Sequence, residues 1–158
     1  MRTFAAAALA LLIAAPAHAA SVLGAPDGWS VTETDKDYAT LLADLKAAVT
    51  ANKMGIVTEA GPTEMAESRG ETIPGNRVVG VFRNDLAVAI IRAAPAAMIE
   101  APVRFMVMEE PDGTATLAYK YPSTVFAPYA EAGGDALDEA TGTLDEIFDR
   151  ISDQATGN

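Results

Sequence analysis

The spacing of apolar and polar positions predicts short strands and helices in alternation beyond residue 20. Alternating or continuous apolar runs indicate strands, and apolar residues recurring every three or four positions indicate helices. Strands are predicted at 30–33, 56–60, 77–82, 103–108 and 114–121, helices at 38–49, 64–69, 86–93 and 135–154, and a brief helical turn from Pro95. The order β-α-β-α-β-α-β-β-α predicts one α+β domain, 20–158, with a mainly antiparallel sheet and helices packed on one face.

Boundary signals accompany the predicted helices. Thr34 or Asp35 can cap the first helix, and Gly55 stands where a left-handed C-cap belongs. Asp85 can cap the third helix. The last helix carries an apolar inner face opposite its Asp and Glu residues, made of Leu137, Leu144, Ile147, Phe148 and Ile151.

The clearest local signal is a hairpin between the strands 103–108 and 114–121. Pro-Asp-Gly at 111–113 is typical of a turn, with Gly113 supplying a positive φ. In the second strand, alternate side chains point to opposite faces of the sheet and form two sets. The first set is Ala115, Leu117, Tyr119 and Tyr121, and the second is Thr116, Ala118 and Lys120.

The two faces of this hairpin differ in chemistry. Val103, Phe105 and Val107 form the predicted core face, and the other face carries Arg104, Met106, Met108 and Lys120. Methionine and arginine are enriched at contact surfaces, so one interpretation is a dimer interface or a ligand surface. The alternative is that helices cover both faces, methionines fill gaps and the cations extend to water.

Two further polar groups have alternative interpretations. Arg83 and Asn84 lie between a buried strand and a helix, where backbone N–H groups can bind an anion, or where Asn84 or Asp85 is simply a helix cap. Glu109, Glu110 and Asp112 gather oxygens at the hairpin turn. No D-x-D-x-D-G ligand series accompanies them, so the sequence predicts no metal site.

The N-terminus has the pattern of an export signal. A positive start at 1–3 precedes an apolar run at 4–15 and the A-x-A sequence at 17–19. A run of this length is too short to span a bilayer. We therefore expect a signal peptide at 1–19, a mature chain from Ala20 or Ser21 without membrane insertion, and a periplasmic location in a bacterium.

Composition excludes several chemistries. His18 is the only histidine and leaves with the predicted signal, and the chain has no cysteine. These facts exclude Ser–His and Cys nucleophiles, the usual zinc sites and haem attachment by cysteine in the mature chain. The formal net charge of −11 disfavours nucleic acid as a partner. No P-loop or G-x-G-x-x-G occurs, and we predict no cofactor and assign no catalytic residue.

Several segments resemble the DUF302 family, a family without an established function. They are GETIP at 70–74, RVVGVFRN at 77–84, Ala94-Pro95, APVRF at 101–105, Glu109-Glu110, Asp112-Gly113 and Tyr119. The resemblance implies the fold but little about activity. Arg83 and Asp85 replace the Gly and Pro that flank the family's Asn. Pro62 stands near the position where many members place a His, so a role for that His cannot transfer to this chain.

Together these observations favour an exported, non-catalytic domain that binds a small ligand or a protein partner, with a homodimer as one form. One alternative is a small hydrolase or isomerase that uses carboxylate, Tyr or Lys groups. Another is an envelope protein without a specific ligand. The candidate contact residues are Arg104, Met106, Met108 and Lys120, with Arg83 and Asn84 as a second group.

Overall fold

A computed structural model of the chain describes residues 21–157, so the predicted signal at 1–19 and Ala20 lie outside the described residues. The strands are β1 (Trp29–Thr34), β2 (Gly55–Ala60), β3 (Asn76–Phe82), β4 (Val103–Glu109) and β5 (Ala115–Lys120). The helices are α1 (Tyr38–Ala51), α2 (Thr63–Glu67), α3 (Asn84–Ala93), α4 (Pro122–Phe126) and α5 (Ala130–Thr156), with 3-10 turns at Pro95–Glu100 and Ala127–Tyr129. The predicted element order is confirmed, and α4 with its following turn is an addition.

All five strands form one antiparallel sheet in the order β1-β5-β4-β3-β2. The predicted hairpin is β4-β5, and Gly113 in its turn has φ +86°. Met106 pairs with Ala118 and Met108 with Thr116, so the predicted division of the hairpin into two faces is confirmed. The fold is a single α+β domain, as the pattern predicts.

The core lies between the sheet and the helices. Phe105 of β4 stacks on Phe148 of α5 at 4.2 Å between ring centroids, and Tyr119 of β5 meets both rings edge-on. The Tyr119 hydroxyl donates to Asp149 Oδ1 at 2.5 Å, which gives this buried ring a polar anchor on α5. Burial and the bond to Asp149 both raise the pKa of Tyr119, so the hydroxyl remains a donor.

Two predicted boundaries of α1 are wrong. Asp37, rather than Thr34 or Asp35, caps the helix by accepting from Thr40 N at 2.7 Å. Thr34 is buried at the end of β1, where its hydroxyl donates to the Ala115 carbonyl.

At the other end of α1, Gly55 begins β2, and Lys53 takes the positive φ of 60°. The chain reverses early because Met54, which is buried, donates its backbone N–H to the Val49 carbonyl inside the last turn of the helix.

The last helix starts earlier than its pattern indicates. Its first residue is Ala130, and non-helical angles at Gly134 (φ 52°, ψ −153°) divide it into a short first part and the long amphipathic part predicted from residue 135. The predicted inner face is confirmed, because Leu137, Leu144, Ile147, Phe148 and Ile151 are all buried.

Phe148→Ala should lower the free energy of unfolding by about 3–5 kcal/mol, because it removes a fully buried ring and leaves a cavity beside Phe105. Urea unfolding of the chain from Ala20 onwards measures the change. Ile99→Ala is the matched control, since this side chain is 79% exposed and should change stability little. Equal losses for the two variants would contradict the assignment of the core.

Candidate functional site: the open face of the sheet

The face of the sheet opposite the helices gathers the side chains that the hairpin pattern singles out. Val103, Phe105 and Val107 are buried towards the helices, whereas Arg104 is exposed and Met106 and Met108 are half-buried. Lys120 of β5 is exposed on the same side as Arg104. The expected arrangement with helices on one face is confirmed, and the alternative with helices on both faces is not what the structure shows. We call this surface the open face.

A groove of about 190 Å³ crosses the open face. Its apolar floor follows one row of paired residues, Val78, Met106 and Ala118, across β3, β4 and β5. The remaining open-face residues of its lining are Trp29, Arg104 and Lys120, and Glu100 and Val125 are also part of its wall. Three of the predicted contact residues, Arg104, Met106 and Lys120, therefore line one groove.

Met108 is on the same face but outside the groove lining. It pairs with Thr116 and Asn76, and its sulfur accepts a hydrogen bond from Asn76 Nδ2 at 3.0 Å. This contact gives Met108 a packing role at the far end of the face.

Two positive charges of the groove have no carboxylate partner among the described residues. Within residues 21–157, neither Arg104 nor Lys120 lies within ion-pair distance of a carboxylate. Most other basic side chains of this part do form ion pairs: Lys36, Lys46, Arg69, Arg77, Arg83 and Arg150. Glu100, in the groove wall, accepts from the Tyr129 hydroxyl at 2.9 Å. In a chain of net charge −11, this cationic pair can attract an anion.

Trp29 is the groove residue that the sequence analysis missed. It pairs with Lys120 across β1 and β5, and the Lys120 Nζ lies 5.4 Å from the centroid of the indole ring. The alternation of Trp29, Val31 and Glu33 was a signal for a shared face, but only the pairing of β1 with β5 places this face beside the hairpin.

The opposite end of the open face is acidic. Glu33 of β1 pairs with Thr116, about 13 Å along β5 from Lys120. Glu110 accepts hydrogen bonds from the hydroxyls of Thr116 and Ser21 at 2.6 Å each, and from Val22 N at 3.1 Å. Burial opposes ionisation, yet these hydrogen bonds hold the pKa of Glu110 below its ordinary value. The open face therefore carries cations at one end and carboxylates at the other, and the apolar row Val78, Met106 and Ala118 crosses it.

The second predicted group, Arg83 and Asn84, does not join the groove. Asn84 is the first residue of α3, and neither it nor Asp85 caps the helix; Arg83 occupies the cap position without a side-chain hydrogen bond to the backbone. The guanidinium of Arg83 donates to both carboxylate oxygens of Asp85 at 2.8 and 3.0 Å. Those hydrogen bonds lower the pKa of Asp85. An anion at this turn would have to displace the chain's own carboxylate.

The acidic residues at the hairpin turn bind the chain itself. Glu109 accepts from Gly75 N at 2.6 Å, and Asp112 accepts from the backbone and hydroxyl of Thr114. Across residues 21–157, no group of three or more His, Cys, Asp or Glu side chains is placed to hold a metal ion. None of the helices in this part has the length and apolar character needed to cross a membrane.

Arg104→Gln should leave the free energy of unfolding unchanged or raise it by up to about 0.5 kcal/mol. Lys120→Gln should change it by less than about 1 kcal/mol, because the loss of the contact between its ammonium group and the Trp29 ring offsets the relief of repulsion. The two cations extend from neighbouring strands, one step beyond the Phe105–Tyr119 pair, and each substitution removes a repulsion without breaking an ion pair. Urea unfolding at low ionic strength measures the effect. A loss above about 1 kcal/mol for either variant would show that the cations serve stability.

The family comparison covers the whole of this site. The family model described as "Domain of unknown function DUF302" matches residues 29–151. The crystal structure of an uncharacterized conserved DUF302 protein from Bacillus stearothermophilus has a similar fold, with a TM-score of 0.70 and 13% identity over 82% of this chain and 99% of that chain. No curated protein matches the sequence. Because the model spans well over half of the residues, from β1 into α5, the chain belongs to the DUF302 family.

Proposed function

We propose that this protein is an exported, non-catalytic binding domain of the bacterial periplasm. Its open face would bind a small organic anion that has an apolar part. The signal-like N-terminus supports export, and the groove supports binding.

The observation that carries the proposal is the pair of cations beside an apolar floor. A carboxylate placed near Arg104 and Lys120 would relieve their mutual repulsion and gain charge-assisted hydrogen bonds. An alkyl or aromatic group on the same molecule would cover Met106 and Ala118 beside Trp29. The groove is smaller than the roughly 300 Å³ at which drug-sized pockets begin, so it suits a small ligand.

The groove chemistry supports binding rather than turnover. Among its lining residues the only carboxylate is Glu100, which is engaged by Tyr129. The Tyr119 hydroxyl is bonded to Asp149 of α5. Lys120, the remaining candidate nucleophile of the lining, has no carboxylate of residues 21–157 within ion-pair distance to serve as its base.

Hexanoate should quench or shift the fluorescence of Trp29, the only tryptophan of the chain, because the ligand would sit against the indole ring. Arg104→Gln and Lys120→Gln should each weaken hexanoate binding about tenfold through loss of a charge-assisted contact. Hexanol tests the need for the negative charge. Arg92→Gln is the matched control, because Arg92 is an exposed cation of α3 outside the groove and has no ion-pair partner in residues 21–157.

Equal responses to hexanoate and hexanol, or equal affinities in the Arg104 and Arg92 variants, would contradict an anion site. Native mass spectrometry tests the competing occupant, a second copy of this chain. A doubled mass that returns to monomer in Met106→Asp would assign the open face to a homodimer and remove the small-ligand assignment. A monomer that binds hexanoate supports the proposal.

A further inference from the structure

Two glutamates converge on the backbone where the described chain begins. The Ser21 N–H donates to Glu33 Oε1 at 2.7 Å, and the Ser21 hydroxyl donates to Glu110 Oε1 at 2.6 Å. Val22 N donates to the other oxygen of Glu110 at 3.1 Å. The segment 21–28, which precedes the edge strand β1, is thus anchored to the acidic end of the open face. One of its two anchors, Glu110, is far from it in sequence.

Within residues 21–157, these two glutamates have hydrogen-bond donors but no basic partner. Asp112 adds a repulsive charge near Glu110. A backbone amide supplies a dipole but no net charge. An ammonium group at the same place would satisfy the two carboxylates much better.

The sequence places a cleavage pattern at this point. The A-x-A residues 17–19 predict hydrolysis beside Ala20 or Ser21. In that step water adds across the peptide bond, the carboxylate stays on the released signal peptide, and the new amino group takes a proton. If the first residue is Ser21, its nitrogen is the atom bonded to Glu33. If it is Ala20, the ammonium is one residue from it, with at most about 3.8 Å between the two Cα atoms.

We propose that export cleavage creates an α-ammonium group that forms an ion pair with Glu33, supported by Glu110, and that this pair makes the cleaved chain more stable than the uncleaved one. The inference rests on the export part of the proposed function and is independent of the anion groove. The processed N-terminus would then be a structural part of the mature domain, and the precursor would lack it.

Because of the amino-acid composition, the contribution of this ion pair to stability can be isolated by changing the pH. The mature chain has no histidine and no cysteine, so the α-amino group, with an ordinary pKa of about 7.7–8.0, is the one group expected to titrate between about pH 6.5 and 9. The groups that face it are Glu33 of β1, Glu110 at the end of β4 and, behind Glu110, Asp112. These carboxylates raise the pKa of the amino group in the folded state. The added stability is therefore present below pH 7.7 and is lost as the pH rises through the higher, folded-state value.

The test compares two untagged forms of the protein. One is exported with its own signal and processed, and intact mass gives its first residue. The other has a neutral Gly-Ser extension ahead of Ala20 and stays uncleaved. At pH 7 and low ionic strength the unfolding equilibrium constant should be about threefold smaller for the processed form, and the two forms should converge by pH 9.5.

Glu33→Gln should abolish the difference between the two forms at pH 7, and Glu110→Gln should reduce it. Glu67→Gln, at an exposed carboxylate of α2, is the matched control and should leave the difference intact. The proposal is overturned by a first residue other than Ala20 or Ser21, by equal stability at pH 7, or by a difference that persists to pH 9.5. The form with the Gly-Ser extension should still bind hexanoate. Failure of the anion-groove proposal is therefore distinguishable from failure of the N-terminal ion pair.

Discussion

The central position of β4 in the sheet is the constraint on which the rest of the molecule depends. β4 pairs with β3 on one side and β5 on the other, so its alternation of side chains determines the faces of both neighbours. Phe105 points towards the helices and stacks on Phe148, while Arg104 and Met106 point the other way. A register shift of one residue would exchange the two sets and place a guanidinium in the core.

This division places the aromatic core and the proposed binding groove on opposite faces of the sheet. On the helical face, the contacts of Phe105, Tyr119 and Phe148 join the central strands to α5, and the hydrogen bond from Tyr119 to Asp149 strengthens the same junction. Among the described residues, the open face has no comparable aromatic cluster, and its apolar row Val78, Met106 and Ala118 is flanked by Arg104 and Lys120, which have no ion pairs in this part of the chain.

The fold was largely predictable because its signals are local. The Pro-Asp-Gly turn, the alternation from Ala115 to Lys120 and the helical spacing from Leu137 to Ile151 each depend on residues close in sequence. The site was predictable only where it shares those signals, as with Arg104, Met106 and Lys120. Trp29 required the pairing of the first and last strands, which no local pattern contains. Asp37 was missed as a cap because Thr34 and Asp35 compete for the same role, and the burial of Thr34 decides between them.

The two ends of the open face carry opposite charges and differ in the partners that those charges have. The acidic end already has donors from the chain itself, through Ser21, Val22 and Thr116, whereas Arg104 and Lys120 have no carboxylate partner among residues 21–157. A ligand that competed for Glu110 would have to replace three hydrogen bonds at once, but an anion near Arg104 would break no ion pair of residues 21–157. The free energy available for binding is thus concentrated at the cationic end, beside Trp29. The segment 21–28 occupies Glu33 and Glu110 at the other end, so the proposed ligand would be confined to the cationic end.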